Sequence, residues 1–375
     1  MKIAYVLVEE LHPGLQNKIF GQIGEWEVQG HEVVLISHKT GRVFRRNGEK
    51  LFADPGLGAR DHQQLVRKNR LARLGLFRKQ YSFLESALSK VRPDLTYGRY
   101  PFPFLGVTRA YSAGAPYVFE INSDDVSEYY IKHRFTGVYN QVFRKAVLSG
   151  AAGMVFVTGE LAESDSFRWY TGARLVLGNS VCVADFPFVE NPENSQPNIC
   201  FIGTPKQKWH GLDKIGAIAE ALPDVQIHVI GPEPEQYRDS GGAVYDNMVF
   251  HGYLNDQDAK RVVAKMDVGI STLALHEKNM DEACPLKARQ YFAQGLPVIA
   301  GYKETDISTA PFFLQLPNSQ DNVKDNLNVI KEFIQRVYGD CELRCQAREF
   351  AEKVLDVKSK EVVRLDFMRK LVAHG

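Results

Sequence analysis

No apolar run in the 375 residues approaches the ~20 that a membrane-spanning helix needs. There is no CxxC pair. The five cysteines (Cys182, Cys200, Cys284, Cys341 and Cys345) are odd in number. That count argues against a disulfide framework, favours a reducing cytoplasm and suggests no zinc site. No internal repeat and no low-complexity tract is visible. The opening MKIAYVLVEELHPG is too short and turns acidic too soon for a secretory signal, so it reads as a first strand. What remains is ordinary for a soluble globular protein, 44% hydrophobic and 24% charged. A chain of this length is long for one core, so two domains are expected.

The net charge of +1 hides an asymmetry. Residues 1–190 hold 24 Lys+Arg against 19 Asp+Glu, and residues 191–375 hold 22 against 26. The basic excess gathers between Arg60 and Arg92, where Arg67, Lys68, Arg70, Arg73, Arg78, Lys79 and Lys90 interleave with Leu65, Leu71, Leu74, Leu76, Phe77 and Leu84. A basic amphipathic helix of this kind can lie on anionic lipid; the alternative is a solvated face over an apolar core. No recognition motif accompanies the charge, so no nucleic-acid partner is expected.

Both halves alternate strand and helix. Ile3–Val8 is apolar throughout, as a buried parallel strand is. A loop with His12, Pro13 and Gly14 follows, then a helix from about Asn17 to Gln29 and a second strand at Val33–Ile36. Further strands are expected at Leu95–Tyr97, Tyr117–Glu120, Met154–Val157 and Arg174–Leu177, with helices near Phe104–Ala113, Tyr139–Ser149 and Glu160–Tyr170. Val189–Asn198 is rich in Pro, Asn and Glu and reads as a linker. The pattern restarts with a strand at Ile199–Ile202, a helix at Gly211–Leu222 and a strand at Gln226–Ile230. A helix at Asn255–Ala264, a strand at Val268–Ser271 and a helical tail from Asn322 complete it. Two successive βα series indicate an α/β chain of two doubly wound domains facing a cleft, with ligands at the strand C-terminal ends. The expected domains are 1–188, 189–357 and a last helix, 358–375, crossing back onto the first.

The stretch from Met280 to Ala300 carries the strongest local signal. A helix opens at Pro285, where a missing N–H costs nothing because first-turn donors have no internal partner. Those donors and the helix dipole favour an anion. Gly295 ends the helix, and Pro297–Ala300 is a short apolar strand.

With these residues the chain resembles the retaining glycosyltransferases of family 4, which have the GT-B fold of two Rossmann-like domains. Four segments in order carry the resemblance: FIGTPKQKWHGLDKI (Phe201–Ile215), IHVIGPEPE (Ile227–Glu235), VFHGYLNDQDAKRVVAKMDVGIST (Val249–Thr272) and DEACPLKARQYFAQGLPVIA (Asp281–Ala300). The first half matches more loosely, through KIAYVLV with HPG, QGHEVVLIS, APYVFEINSDD and LGNSV. The resemblance implies transfer of a sugar, with retention, from a nucleotide-sugar donor such as a UDP- or GDP-sugar to a glycan or lipid-linked acceptor. It implies no bound metal and no other cofactor. The expected setting is surface-polysaccharide synthesis in the cytoplasm, and the basic Arg60–Arg92 segment motivates the lipid part and a peripheral place at the inner face of the cytoplasmic membrane.

The implied donor site comprises Gly14, Gly203, Lys206, Lys208, His210, Gly231, Tyr253, Ala283, Cys284, Leu286, Lys287 and Gln290. A leaving diphosphate needs positive groups and backbone donors already in place. Thr204 stands where the family usually has an arginine, so the charge falls to Lys206 and Lys208. Gly14 lets backbone approach the diphosphate closely. Glu282 matches the first of two glutamates eight apart and would hold the donor sugar and favour a cationic transition state. Gln290 stands in the place of the second, which binds ribose; a glutamine keeps an acceptor oxygen but gives up a charge-assisted bond. Asn122 replaces a histidine beside the reacting sugar and can position but not take a proton. His12, Glu120 and Asp124 are candidate acceptor contacts. These departures keep open a non-catalytic nucleotide-sugar-binding or scaffolding subunit; a nucleotide-sugar epimerase on the same fold is a further alternative, against which the signature with its PLK run argues.

Overall fold

The computed structural model describes residues 1–9, 11, 13–57, 70–104, 106–132 and 134–373, with only the backbone at 70–73 and 131–132. The chain divides into two compact units. One comprises Met1–Leu11, Ile19–Leu177 and Glu361–Gly375; the other comprises His12–Lys18 and Gly178–Lys360. The main division therefore falls at Gly178, not in the Pro- and Asn-rich stretch at 189–198. That stretch is irregular but is fixed within the second unit, where the Tyr338 hydroxyl donates to the Asn194 carbonyl.

The first unit is built on strands β1 (Lys2–Leu7), β2 (Glu32–Ser37), β3 (Arg42–Phe44), β4 (Lys50–Ala53), β5 (Leu95–Arg99), β6 (Tyr117–Ile121), β7 (Gly153–Phe156) and β8 (Ala173–Val176). Their order is β4-β3-β2-β1-β5-β6-β7-β8. The β1, β2 and β5–β8 pairings are parallel, and β3 and β4 add an antiparallel edge. β1 is buried along nearly its whole length, as its unbroken apolar run requires. The last helix, Val357–Ala373, belongs to this unit from Glu361 onward. Its Glu361 accepts from the Trp26 indole at 3.0 Å, and Arg364 bonds the Tyr97 hydroxyl at 2.6 Å. Helices at Asp125–Lys132 and Arg134–Leu148 are joined by a bidentate Arg144–Asp125 pair at 2.6 and 2.8 Å. The expected helix Glu160–Tyr170 is only one turn, Gly159–Glu163, because Arg174 takes the carbonyls of Ala162, Phe167 and Tyr170.

The second unit carries a parallel sheet of β9 (Asn198–Ile202), β10 (Gln226–Ile230), β11 (Met248–Gly252), β12 (Val268–Ile270), β14 (Val298–Ala300) and β16 (Phe313–Gln315), in the order β11-β10-β9-β12-β14-β16. Between them in sequence, β13 (Glu282–Ala283) and β15 (Lys303–Glu304) form a separate two-stranded ribbon. The strand order reverses between β9 and β12, and in open α/β sheets a crevice for ligand opens at such a switch point. One core layer gathers Ile199, Phe201, Ile215, Ile227 and Ile270; the other gathers Cys200, Tyr291, Phe292, Val298 and Leu355.

Candidate functional site

The loops leaving β9 and β10 meet on two glycines. The Gly203 N–H donates to the Ile230 carbonyl at 3.0 Å. A Cβ on Gly231, where φ is +118°, would lie 1.8 Å from the Gly203 carbonyl oxygen. A Cβ on Gly203 would lie 2.4 Å from the Phe201 ring and 2.8 Å from His210 Nδ1. Any larger residue at either position would fill this floor, so bare backbone is what these loops present.

Above the Phe201 ring sits Lys287, its Nζ 4.2 Å from the ring centroid. The ammonium is buried and meets no hydrogen-bond acceptor among the described residues, although part of its stem is exposed. Burial pushes it down to about 7. Lys287 lies in the first turn of the helix Leu286–Ala293, for which Pro285 is the extended N-cap residue. The helix thus begins one residue later than the sequence pattern suggests. Its first-turn amides lack intrahelical acceptors. A buried ammonium, first-turn amides and a glycine floor are the kind of groups that a phosphate could bond.

His210 stands edge-on to Phe201 with ring centroids 5.4 Å apart. Burial first, and the Lys287 charge second, push it down to about 2. It is therefore neutral and supplies no positive charge. Lys206 and Lys208 are exposed on the same loop, and Lys206 takes a left-handed φ of 65° with its N–H on Ser240 Oγ at 3.2 Å. Gln290 and Leu286 share one small cavity with Gly14, Asn17, Lys18 and Ser180. Asn17 is fixed there by donating to Asp256 at 2.7 Å. Tyr253, just beyond β11, is 74% exposed. Glu282 is buried on β13 opposite Lys303, and Ala283 and Cys284 continue the same segment.

That segment is held by residues the sequence reading passed over. The Asn179 N–H donates to Cys284 Sγ at 2.8 Å and its amide to the Cys284 carbonyl at 2.5 Å. Arg289, fully buried, pairs with Glu304 at 2.6 Å and Asp306 at 2.5 Å, and Lys360 also pairs with Asp306. One signal was readable: Arg289 is a charge among the apolar Ala288, Tyr291, Phe292 and Ala293, which are buried, and a charge there needs buried partners. Cys284, Glu304 and Asp306 bring ligand atoms within 4.8 Å of one another. Two cations already neutralise the carboxylates, and burial pushes the Cys284 thiol up to about 12, so this set does not suit a metal ion.

In the first unit the candidate acceptor residues have other work. Glu120 is not available to an acceptor. It is buried, taking the Tyr97 hydroxyl at 2.8 Å and Arg364 at 3.2 Å. Asn122 turns its amide onto Glu120 Oε1 at 3.0 Å. Asp124 caps the helix Asp125–Lys132, accepting from the Val126 N–H at 3.0 Å and Ser127 Oγ at 2.9 Å. His12 lies outside the described residues, as do Arg60, Arg67 and Lys68; of Arg70 and Arg73 only the backbone is described.

The family model described as glycosyl transferases group 1 matches residues 196–309, which run from β9 to β15. Among solved structures, sucrose-phosphate synthase from Thermosynechococcus elongatus is similar over the whole of both chains, with a TM-score of 0.71 and 16% identity. A glycosyltransferase from Rickettsia africae ESF-5 gives 0.64 and 13%, covering all of this chain and 99% of its own. An α-glucosyltransferase in complex with UDP gives 0.63 and 12% over both whole chains. At such identities the likeness is one of fold, and the fold is GT-B. No curated protein matches by sequence. The family match and the fold together support a glycosyltransferase.

Proposed function

We infer that the chain is a retaining glycosyltransferase of the family-4 type. It moves a sugar from a UDP- or GDP-sugar to a glycan or lipid-linked acceptor in surface-polysaccharide synthesis. The observation that carries this reading is the buried Lys287 ammonium above Phe201, without a partner among the described residues, in the first turn of a helix and beside the Gly203–Gly231 floor. A buried charge without a partner is costly, and a diphosphate would satisfy it.

In the proposed reaction Lys287 and the first-turn amides take up charge as the diphosphate leaves. The glycines let backbone approach the phosphates. Gln290 would accept from a ribose hydroxyl, Tyr253 would flank the base, and Glu282 would hold the donor sugar. Lys206 and Lys208 would draw the anion from solution. The proposed reaction has no protein metal; Lys287, Lys206, Lys208 and the first-turn amides would share the diphosphate's charge. Asn122 would orient and not titrate, which suits a mechanism in which the departing phosphate oxygen receives the acceptor proton.

The test is to incubate the protein with UDP- and GDP-sugars and glycan or lipid-linked acceptors, then read the anomeric configuration of the product by NMR. A product keeping the donor's configuration is expected. An inverted product would overturn retention. A donor that binds and is never consumed would indicate a binding subunit.

A further inference from the structure

One face of the helix Arg134–Leu148 has no partner among the described residues. Phe135 is 93% exposed, Val142 64%, Val138 48% and Phe143 44%. With Tyr139 and Arg134 they line an open groove. Their spacing of three and four residues puts them on one side of the helix. Exposed apolar patches of this kind usually mark an interaction surface.

The face is held rigidly. Arg144 and Asn140 both bond Asp125 from the inner side of the helix, at 2.5–2.8 Å. Gly137 lies so close under Tyr130 that a Cβ would meet the ring at 2.6 Å. The Tyr139 ring lies between Phe102 and Phe143, with centroids 5.5 and 4.5 Å away. The exposed side chains are thus the outer layer of a packed aromatic cluster.

Charge identifies the occupant. Residues 129–159 contain no Asp or Glu but do contain Lys132, Arg134, Arg144 and Lys145. Arg144 is consumed by Asp125, whereas Arg134 and Lys145 are exposed. On a helical projection both fall along one edge of the apolar stripe. A second copy of the chain would bring no acid from this segment to meet them.

We propose that the Phe135–Val138–Val142–Phe143 face, with Arg134 and Lys145 at its edge, is a docking surface for an anionic lipid bilayer. The apolar side chains enter the acyl boundary while the two cations stay at the phosphate level. The face belongs to the first unit, and none of its residues is among those named for the donor site.

The test is co-sedimentation of the full chain with vesicles of phosphatidylcholine, alone or with about one-third phosphatidylglycerol. Binding to the anionic vesicles only is expected. The double variant Phe135→Ser/Val142→Ser should weaken it by roughly tenfold, with an unchanged melting temperature and unchanged donor binding. Arg134→Glu/Lys145→Glu should weaken it also, and more at low salt than at high. The proposal is overturned if the wild type does not sediment with anionic vesicles, or if Phe135→Ser/Val142→Ser sediments as the wild type does. It is also overturned if light scattering finds a wild-type dimer that this variant makes monomeric.

Discussion

At the scale of the residue, the proposed function turns on Lys287. Burial lowers its folded pKa to about 7, against about 10.4 for an unfolded lysine. Between those values the unfolded chain binds more protons than the folded one, so this lysine's contribution to stability rises with pH across that window. Anion binding has the opposite dependence, because it needs the charged form. The affinity for a nucleoside diphosphate should therefore weaken as pH rises above about 7, by up to about tenfold per unit, until the bound lysine's own pKa is reached. Calorimetric titrations at a series of pH values check this, and a profile unchanged by Lys287→Met would contradict it. Lys287 could be named from sequence because it follows Pro285 by two, and a helix start is written in local residue types. His210 was named among the donor-site residues, and burial keeps it neutral. Burial under the β9 loop is a tertiary effect that its own segment does not encode.

At the scale of the element, strands β9, β10 and β12 and the helix Leu286–Ala293 were legible because buried parallel strands are apolar without interruption and helix ends carry Pro and Gly. The ribbon of β13 and β15 was not legible. Two-residue strands have no periodicity, and this one depends on Asn179, Arg289 and Asp306, which lie far apart in sequence. Arg289 is expected to be the anchor of that assembly. Arg289→Met should leave Glu304 buried without its cation and cost about 3–5 kcal/mol of stability. Denaturant unfolding measures this. A loss below about 1 kcal/mol, typical of an exposed pair, would show that Arg289 is not the anchor. The antiparallel strands β3 and β4 also escaped the sequence reading, because Arg42–Phe44 and Lys50–Ala53 are short and half exposed at a sheet edge.

At the scale of the whole molecule, two α/β units could be expected from length and from the two βα series. Their division could not, since the composition shift at 189–198 marks a loop inside the second unit, not its edge. The return of the chain to the first unit after Lys360 rests on Arg364, buried against Tyr97, Glu120 and Glu361. Arg364→Ala should destabilise the first unit by about 3–5 kcal/mol, because buried Glu361 loses its cation and buried Glu120 keeps only Arg99 at 4.0 Å. Nucleotide affinity, a property of the second unit, should not change with it. A lowered affinity at a temperature where both units stay folded would argue against that independence. The central claim is that the second unit holds a nucleoside diphosphate on Lys287. It is tested most directly by isothermal titration of UDP and GDP into the wild type and Lys287→Met at neutral pH. One nucleotide should bind the wild type, and the variant should lose at least about tenfold in affinity, the scale of a charge-assisted hydrogen bond. Equal binding by both proteins, or no binding of either nucleotide to the wild type, would contradict the account.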